Sequence, residues 1–341
     1  MAPPLLAVRG LRVDFDLGRP RPFAPRRTLQ AVAGVDFDLV DGETLAVVGE
    51  SGCGKSTLAR AILGLVPASG GSVCYRGAEL MALSRRAMRS YRRELQIIFQ
   101  DPVASLDPRM TVEQIVAEPL RALMPKLDAR QRRRRVAAML ERVGLGASQM
   151  RRYPHEFSGG QAQRIGIARA LVVEPRVVVC DEPTSALDVS IKAQVINLLE
   201  ELQAQMQLSL LFITHDLAAV RHIADRVLVL YLGRVMELAP VEALFANPRH
   251  PYTRALLAAI PHVDPRRATN DPPRAPAGEP PSPIDVPTGC VFRTRCPWAV
   301  ERCAREVPKL RRVGEGLVAC HRAEELPPFA AGNGVADADR R

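Results

Sequence analysis

Aromatic side chains are scarce in this chain. Of its 341 residues, 9 are Phe, 5 are Tyr and 1 is Trp. So few rings argue against a stacking platform for single-stranded nucleic acid. Long apolar runs are missing as well. No stretch approaches the roughly 18 consecutive apolar residues of a bilayer-spanning helix, so nothing here is expected to cross a membrane by itself. Met1–Gly10 lacks a basic start ahead of an apolar segment, which predicts no secretory signal. The cysteines never fall in the C-x₂-C pairs common in zinc modules. There is no internal repeat and no second phosphate loop. The expectation is a soluble protein that reaches a membrane only through partners.

What is present is enough for a core. Hydrophobic residues make up 47% of the chain, and its length suits a main domain plus a smaller one. Lys and Arg number 47 against 37 Asp and Glu, a net charge of +10 that suits an anionic membrane surface or nucleic acid. The densest basic run, Arg132–Arg135, lies in a helical stretch between Asp128 and Val143 and reads as a solvated helix face.

Residues Gly49-Glu50-Ser51-Gly52-Cys53-Gly54-Lys55-Ser56 satisfy the pattern G-x-x-x-x-G-K-[ST] without strain. Glycines let backbone N–H groups curl round phosphate oxygens where a Cβ would obstruct them. In this motif Lys55 reaches the β- and γ-phosphates and Ser56 offers its hydroxyl to Mg²⁺. Gly49, Ser51, Gly52, Cys53, Gly54 and Thr57 complete the nucleotide-binding set. The flanks agree: Thr44–Val48 is a short β-branched run, and Leu58–Leu63 is helix-like with its positive N-terminal end toward the anion.

Val177-Val178-Val179-Cys180-Asp181-Glu182 reads as a buried parallel strand ending in two acids. Asp181 is the candidate second Mg²⁺ residue, and Glu182 the candidate that orients or deprotonates a water. That arrangement favours hydrolysis over transfer to a substrate. Upstream, Ser158-Gly159-Gly160 forms a turn with free N–H groups that opens a helix at Gln161, a second anion site. Its plainer reading is a helix start capped by serine.

Phe157-Ser158-Gly159-Gly160-Gln161 resembles the signature of ATP-binding cassette (ABC) ATPases, and the other cassette motifs follow in order. Gln100 matches the glutamine loop, Ser185-Ala186-Leu187-Asp188 the D-loop, and His215 the switch histidine. Phe15 falls where the family stacks adenine on an aromatic ring. The resemblance implies an α/β P-loop NTPase fold with a RecA-like core, an antiparallel β subdomain and a helical subdomain. It also implies ATP and Mg²⁺ as ligands, with Gln100 beside the metal. The signature residues and Asp188 would serve the ATP held by an opposite subunit, so a second cassette, identical or related, is implied.

The cassette is expected over residues 5–250, with its helical subdomain at about 101–160. Ile191, Val195, Leu198, Leu199, Leu202 and Met206 recur at helical spacing and predict core. After Leu232 the pattern weakens. A C-terminal extension, 251–341, holds a proline-rich linker at 271–287 and a four-cysteine tail at 288–325. Gln100–Met110, Tyr153–Ser158 and His250–Leu256 resemble the oligopeptide/dipeptide importer branch, most of all its F-type subunit. Val103 and Ala162 depart from that branch's usual residues. Cys290, Cys296, Cys303 and Cys320 cluster in a chain expected to be cytosolic, where disulfides are not needed. Their thiolates suit an iron–sulfur cluster or zinc, or bind nothing; the resemblance favours a [4Fe–4S] cluster. Cys53, Cys74 and Cys180 read as small core or loop residues.

The resulting expectation is an ATP-hydrolysing subunit of a peptide importer at the cytoplasmic side of the inner membrane. It would work with two integral-membrane permease subunits, a second ATPase subunit and, indirectly, an extracytoplasmic substrate-binding protein, and with no nucleic acid. The alternatives are an importer ATPase for another solute such as nickel or glutathione, or a soluble ABC ATPase acting on nucleic acid or ribosomes. A P-loop kinase is disfavoured by Glu182 and the signature.

Overall fold

The structure, a computed structural model, describes residues 3–19, 26–185, 187–260 and 278–329. Ala186 of the D-loop, residues 20–25 of the insert after Phe15, and 271–277 of the expected linker lie outside the described residues.

β1 (Leu6–Asp16) and β2 (Thr28–Leu39) pair antiparallel, and β3 (Thr44–Val48) runs into the phosphate loop and α1 (Lys55–Ile62). β4 (Gly70–Tyr75) and β5 (Ala78–Glu79) return to the first pair, giving a four-stranded sheet in the order β2-β1-β4-β5. α2 (Arg85–Glu94) leads into β6 (Leu95–Ile98). Two helices then leave the sheet, α3 (Val112–Leu123) and α4 (Ala129–Arg142). Each starts on a capping box, Thr111 with Gln114 and Asp128 with Gln131, which satisfies N–H groups that the helix itself cannot. α5 (Gly159–Leu171), β7 (Val177–Asp181), α6 (Val189–Met206), β8 (Ser209–Ile213), α7 (Leu217–Ile223) and β9 (Arg226–Tyr231) alternate helix and strand. The chain closes with β10 (Arg234–Pro240), α8 (Val241–Ala246), α9 (Pro251–Ala258), α10 (Glu301–Arg305), β11 (Arg311–Val313) and β12 (Gly316–Val318).

The large sheet has the order β11-β12-β10-β9-β3-β8-β7-β6. Its middle is parallel, from β9 through β3, β8 and β7 to β6. Parallel strands are covered on both faces, which is why these runs are continuously apolar. Alternate residues serve two cores. Val178, Cys180, Leu210 and Phe212 face the helical side with α5 and α6. Val177, Val179, Leu211 and Ile213 face α1 and the antiparallel sheet. Val195, Leu198, Leu199 and Leu202 of α6 are buried as their spacing predicts, with Ile191 and Met206 packed at the margin.

The weakening expected after Leu232 does not occur. β10 is buried along nearly its whole length and pairs with β9 and β12, so the cysteine tail continues the main sheet. The apolar pattern is broken by Glu237, whose carboxylate, 1% exposed, accepts the backbone N–H groups of Arg249 and His250. The extension is therefore fastened by hydrogen bonds that no hydropathy pattern reveals.

His250 caps α9 by accepting the Tyr252 N–H at Nδ1, and burial pushes its pKa down to about 3 from an ordinary 6.5. Below the ordinary value the unfolded chain takes up a proton that the folded chain refuses, so stability falls as pH drops from 6.5. At pH 5 the loss is about 2 kcal/mol. Glu237, whose pKa burial raises, works in the opposite sense. His250→Asn keeps a capping acceptor and leaves Glu237 in place. The stability lost between pH 7 and pH 5, measured by urea unfolding, should be smaller in this variant by about 2 kcal/mol. Equal losses in both proteins would mean that His250 titrates freely in the fold.

Candidate functional site

The parallel register brings the functional loops to one level. Val47, Ile213 and Asp181 pair across β3, β8 and β7, and Ile98 of β6 pairs with Cys180. The phosphate loop, Glu182, His215 and Gln100 follow directly from those carboxyl ends, where open α/β sheets form their crevices. A cleft of about 510 Å³ opens there, lined by Phe15, Ser51–Thr57, Gln100, Glu182 and His215.

The loop approaches neighbouring backbone so closely that two of its glycines are irreplaceable. Gly54 has φ +105°, and a Cβ there would lie 2.1 Å from the Ala31 carbonyl oxygen. A Cβ on Gly49 would lie 2.2 Å from that of Leu230. Lys55 is 4% exposed and donates from Nζ to the carbonyls of Gly49 (2.8 Å) and Glu50 (3.0 Å). The Cys53 thiol is buried beside it, which raises its pKa.

Ser56 Oγ donates to Asp181 Oδ1 at 2.6 Å. Asp181 Oδ2 is fully buried and accepts no hydrogen bond, and burial raises the carboxyl pKa. An orphaned carboxylate oxygen next to a serine hydroxyl at a phosphate loop fits a divalent cation such as Mg²⁺. Glu182 has φ +48°, a strained conformation for a residue with a side chain, held by its N–H bond to Ile213 O. Its carboxylate lies 3.2 Å from Gln100 Nε2, 3.4 Å from His215 Nδ1 and 4.0 Å from Lys55 Nζ. Phe15 is 38% exposed on the cleft wall, an open ring face for a flat base.

The signature lies apart from this cleft. Ser158 caps α5 through its Oγ and the Gln161 side chain completes the box, so both are engaged within the turn. Gly159 and Gly160 pack against Leu187 and Ile191, on either side of Asp188, with no room for a Cβ on Gly160. The signature turn and the D-loop thus share one surface, outside the pocket of their own chain.

The four tail cysteines do converge: Cys290, Cys296, Cys303 and Cys320 line one cavity with His321. The [4Fe–4S] cluster or zinc expected there finds no support in the geometry. Among the described residues no group of three or more His, Cys, Asp or Glu is arranged to hold a metal ion. The cavity measures about 10 Å³, the room of roughly one water. Burial pushes the Cys296 thiol up to about 12 and Cys320 up to about 11, and repulsion among the sulfurs adds to it.

The profile of the ABC transporter family matches residues 32–185, and that of the oligopeptide/dipeptide transporter C-terminal region matches 236–303. The oligopeptide transport ATP-binding protein OppF of Escherichia coli is 54% identical, covering 94% of this chain and 97% of that protein. This chain belongs to the ABC transporter ATPases, in their oligopeptide/dipeptide branch. A putative oligopeptide transport ATP-binding protein, YkfD of Bacillus subtilis, is 50% identical over 93% of this chain and 95% of its own length. The structure of cbiO1 from Clostridium perfringens, part of the ABC transporter complex cbiONQ, shares the fold at TM-score 0.61 and 30% identity, over 72% of this chain and 92% of that one. A dimeric ATP-binding cassette in a post-hydrolysis state with ADP and Pi superposes at TM-score 0.62 and 26% identity, over 69% of this chain and 98% of that one. The chain is accordingly an ATP-hydrolysing subunit of an ABC importer.

Several lining residues carry no sequence signal. Leu29, Gln30 and Ala31 of β2, Leu232 and Gly233 after β9, and Pro283 of the extension reach the cleft only through the fold.

A methyl at the most crowded glycine tests the loop. Gly54→Ala adds the Cβ and strains a positive φ, a cost of about 1–3 kcal/mol. ATP affinity, measured by equilibrium binding, should fall about tenfold or more. Wild-type affinity would show that the loop adapts to a side chain.

Proposed function

We propose that this chain drives uptake of oligopeptides or dipeptides, docked on the cytoplasmic face of the membrane against two integral-membrane permease subunits. A substrate-binding protein would deliver cargo from outside. Its partner ATPase would be a related second cassette. The match of residues 236–303 to the oligopeptide/dipeptide C-terminal region and the OppF relatives support the cargo class. Among the described residues no helix is long and apolar enough to cross a membrane, in keeping with attachment through partners.

One observation carries the chemistry: Glu182 sits in the cleft within reach of Lys55, Gln100 and His215, while Ser158–Gln161 lie outside it. Phe15 receives the adenine ring. The loop N–H groups and Lys55 hold the phosphates. Ser56, Asp181 and Gln100 would hold Mg²⁺, which would supply positive charge against the charge developing on the phosphates. Glu182 accepts the proton of the attacking water, and His215 and Gln100 orient the carboxylate and the γ-phosphate. Ser158, Gly159, Gly160 and Gln161, with Asp188, complete the site of the opposite cassette. ATP then bridges two subunits, and hydrolysis releases them.

Glu182→Gln should keep ATP binding and lower turnover by about 10²–10⁴-fold, because an amide cannot take the proton. The measurement is ATPase rate in the assembled transporter with its binding protein, with and without peptide. Peptide should stimulate the wild type and not the variant. Near-wild-type turnover removes Glu182 from the role, and indifference to every peptide removes the cargo.

Ser158→Arg places a bulky cation at the start of α5, away from the chain's own cleft. ATP binding to the single chain should be unchanged while ATP-driven pairing of cassettes is lost. Retained pairing, seen by size-exclusion chromatography with the Glu182→Gln background, would place the signature outside the interface.

A further inference from the structure

Glu50, the second residue of the phosphate loop, is gripped from the far end of the chain. Arg295 forks its carboxylate, Nη1 to Oε2 at 2.8 Å and Nη2 to Oε1 at 3.0 Å. The Arg295 side chain is only 7% exposed and that of Glu50 25% exposed. The guanidinium also donates to Tyr231 Oη at 3.4 Å and lies over the Tyr231 and Phe292 rings. Tyr252 Oη accepts the Glu50 N–H at 2.9 Å. The Glu50 carbonyl accepts from Lys55 Nζ. Tyr231, Tyr252 and Phe292 pack ring to ring with centroids 4.6–5.5 Å apart, a rigid seat for the pair. Although burial opposes its charge, the bonds to Glu50 and Tyr231 raise the pKa of Arg295, so it stays a cation. The same extension puts Pro283 into the cleft wall.

A carboxylate in a phosphate loop is an electrostatic liability, since the loop must receive a polyanion. Glu50 is absent from the cleft lining although its neighbours Ser51–Thr57 line it. The fork accounts for both facts: it neutralises the carboxylate and turns it away from the phosphates. We propose that Arg295 is a positioning residue for ATP, and that the C-terminal extension is a working part of the nucleotide site because it supplies the cation that restrains Glu50. The proposal rests on the cleft being the ATP site. By linkage, nucleotide binding and docking of the extension then reinforce each other.

The test uses the full chain and a fluorescent ATP analogue with Mg²⁺, by equilibrium binding. The wild type should bind; failure there would refute the cleft assignment instead. Arg295→Met leaves a carboxylate unpaired and should weaken binding about tenfold or more, within the usual range of coupling between sites. Arg295→Lys keeps charge without the fork and should fall between. The decisive variant is the double Glu50→Gln/Arg295→Met, which removes the liability along with its restraint and should recover most of the lost affinity. A residue needed only to fold the extension gives no such recovery. Arg295→Met binding within about twofold of the wild type, or a double variant no better than the single, overturns the proposal. If Arg295→Met fails to fold, as judged by circular dichroism, Arg295→Lys and its pairing with Glu50→Gln give the same contrast.

Discussion

The nucleotide site depends on the backbone of one short loop being packed directly against the backbone of its neighbours. Ala31 on β2 and Leu230 on β9 press their carbonyls against Gly54 and Gly49 with no space for a side chain between. Main-chain contact on two sides thus fixes the course of the loop. Lys55 cannot wander, since it is buried and bonded to the loop's own carbonyls. The parallel sheet underneath supplies the remaining groups at matched height. The Ser56–Asp181 hydrogen bond ties the start of α1 to the end of β7, so the phosphate loop and the acidic strand end are linked directly.

Around this unit the structure stores two unfavourable arrangements. Glu182 occupies a left-handed backbone conformation, and Asp181 buries a carboxylate oxygen that accepts no hydrogen bond, with the Arg60 guanidinium 3.7 Å away. Both are costs that an ordinary core would shed. Both lie where the proposed chemistry needs them, at the carboxyl end of β7 beside the cleft.

The cysteine tail is part of the same architecture. β12 extends the main sheet at β10, Glu237 holds the turn into α9, and Phe292 packs into the Tyr231–Tyr252 cluster beneath the phosphate loop. Val291 and Phe292 of the tail bury themselves in one cluster with Val229 and Tyr231 of the cassette, while Val313, Val318 and Ala323 form a small cluster of their own. Four sulfurs meet in one small cavity of the tail, though among the described residues no group of three or more His, Cys, Asp or Glu is arranged to hold a metal ion.

Much of this was legible in the sequence because local chemistry demanded it. Glycine spacing, Lys55 and Ser56 announce phosphate binding, since no other residues let backbone wrap an anion and reach its terminal oxygens. The run Val177–Glu182 announces a covered strand with acids at its end. The alternation Val35-Asp36-Phe37-Asp38-Leu39 announces a half-buried strand, and Val35, Phe37 and Leu39 are indeed inside. What only the tertiary structure decided are the contacts between residues far apart in the chain. The grip of Arg295 on Glu50 spans 245 positions, and that of Tyr252 spans 202. Such pairs leave no periodicity, because an arginine among cysteines and a glutamate in a loop look like surface charges until the sheet brings them together. The pattern weakens after Leu232 for the same reason: one buried glutamate, satisfied by backbone from a later segment, interrupts a core strand.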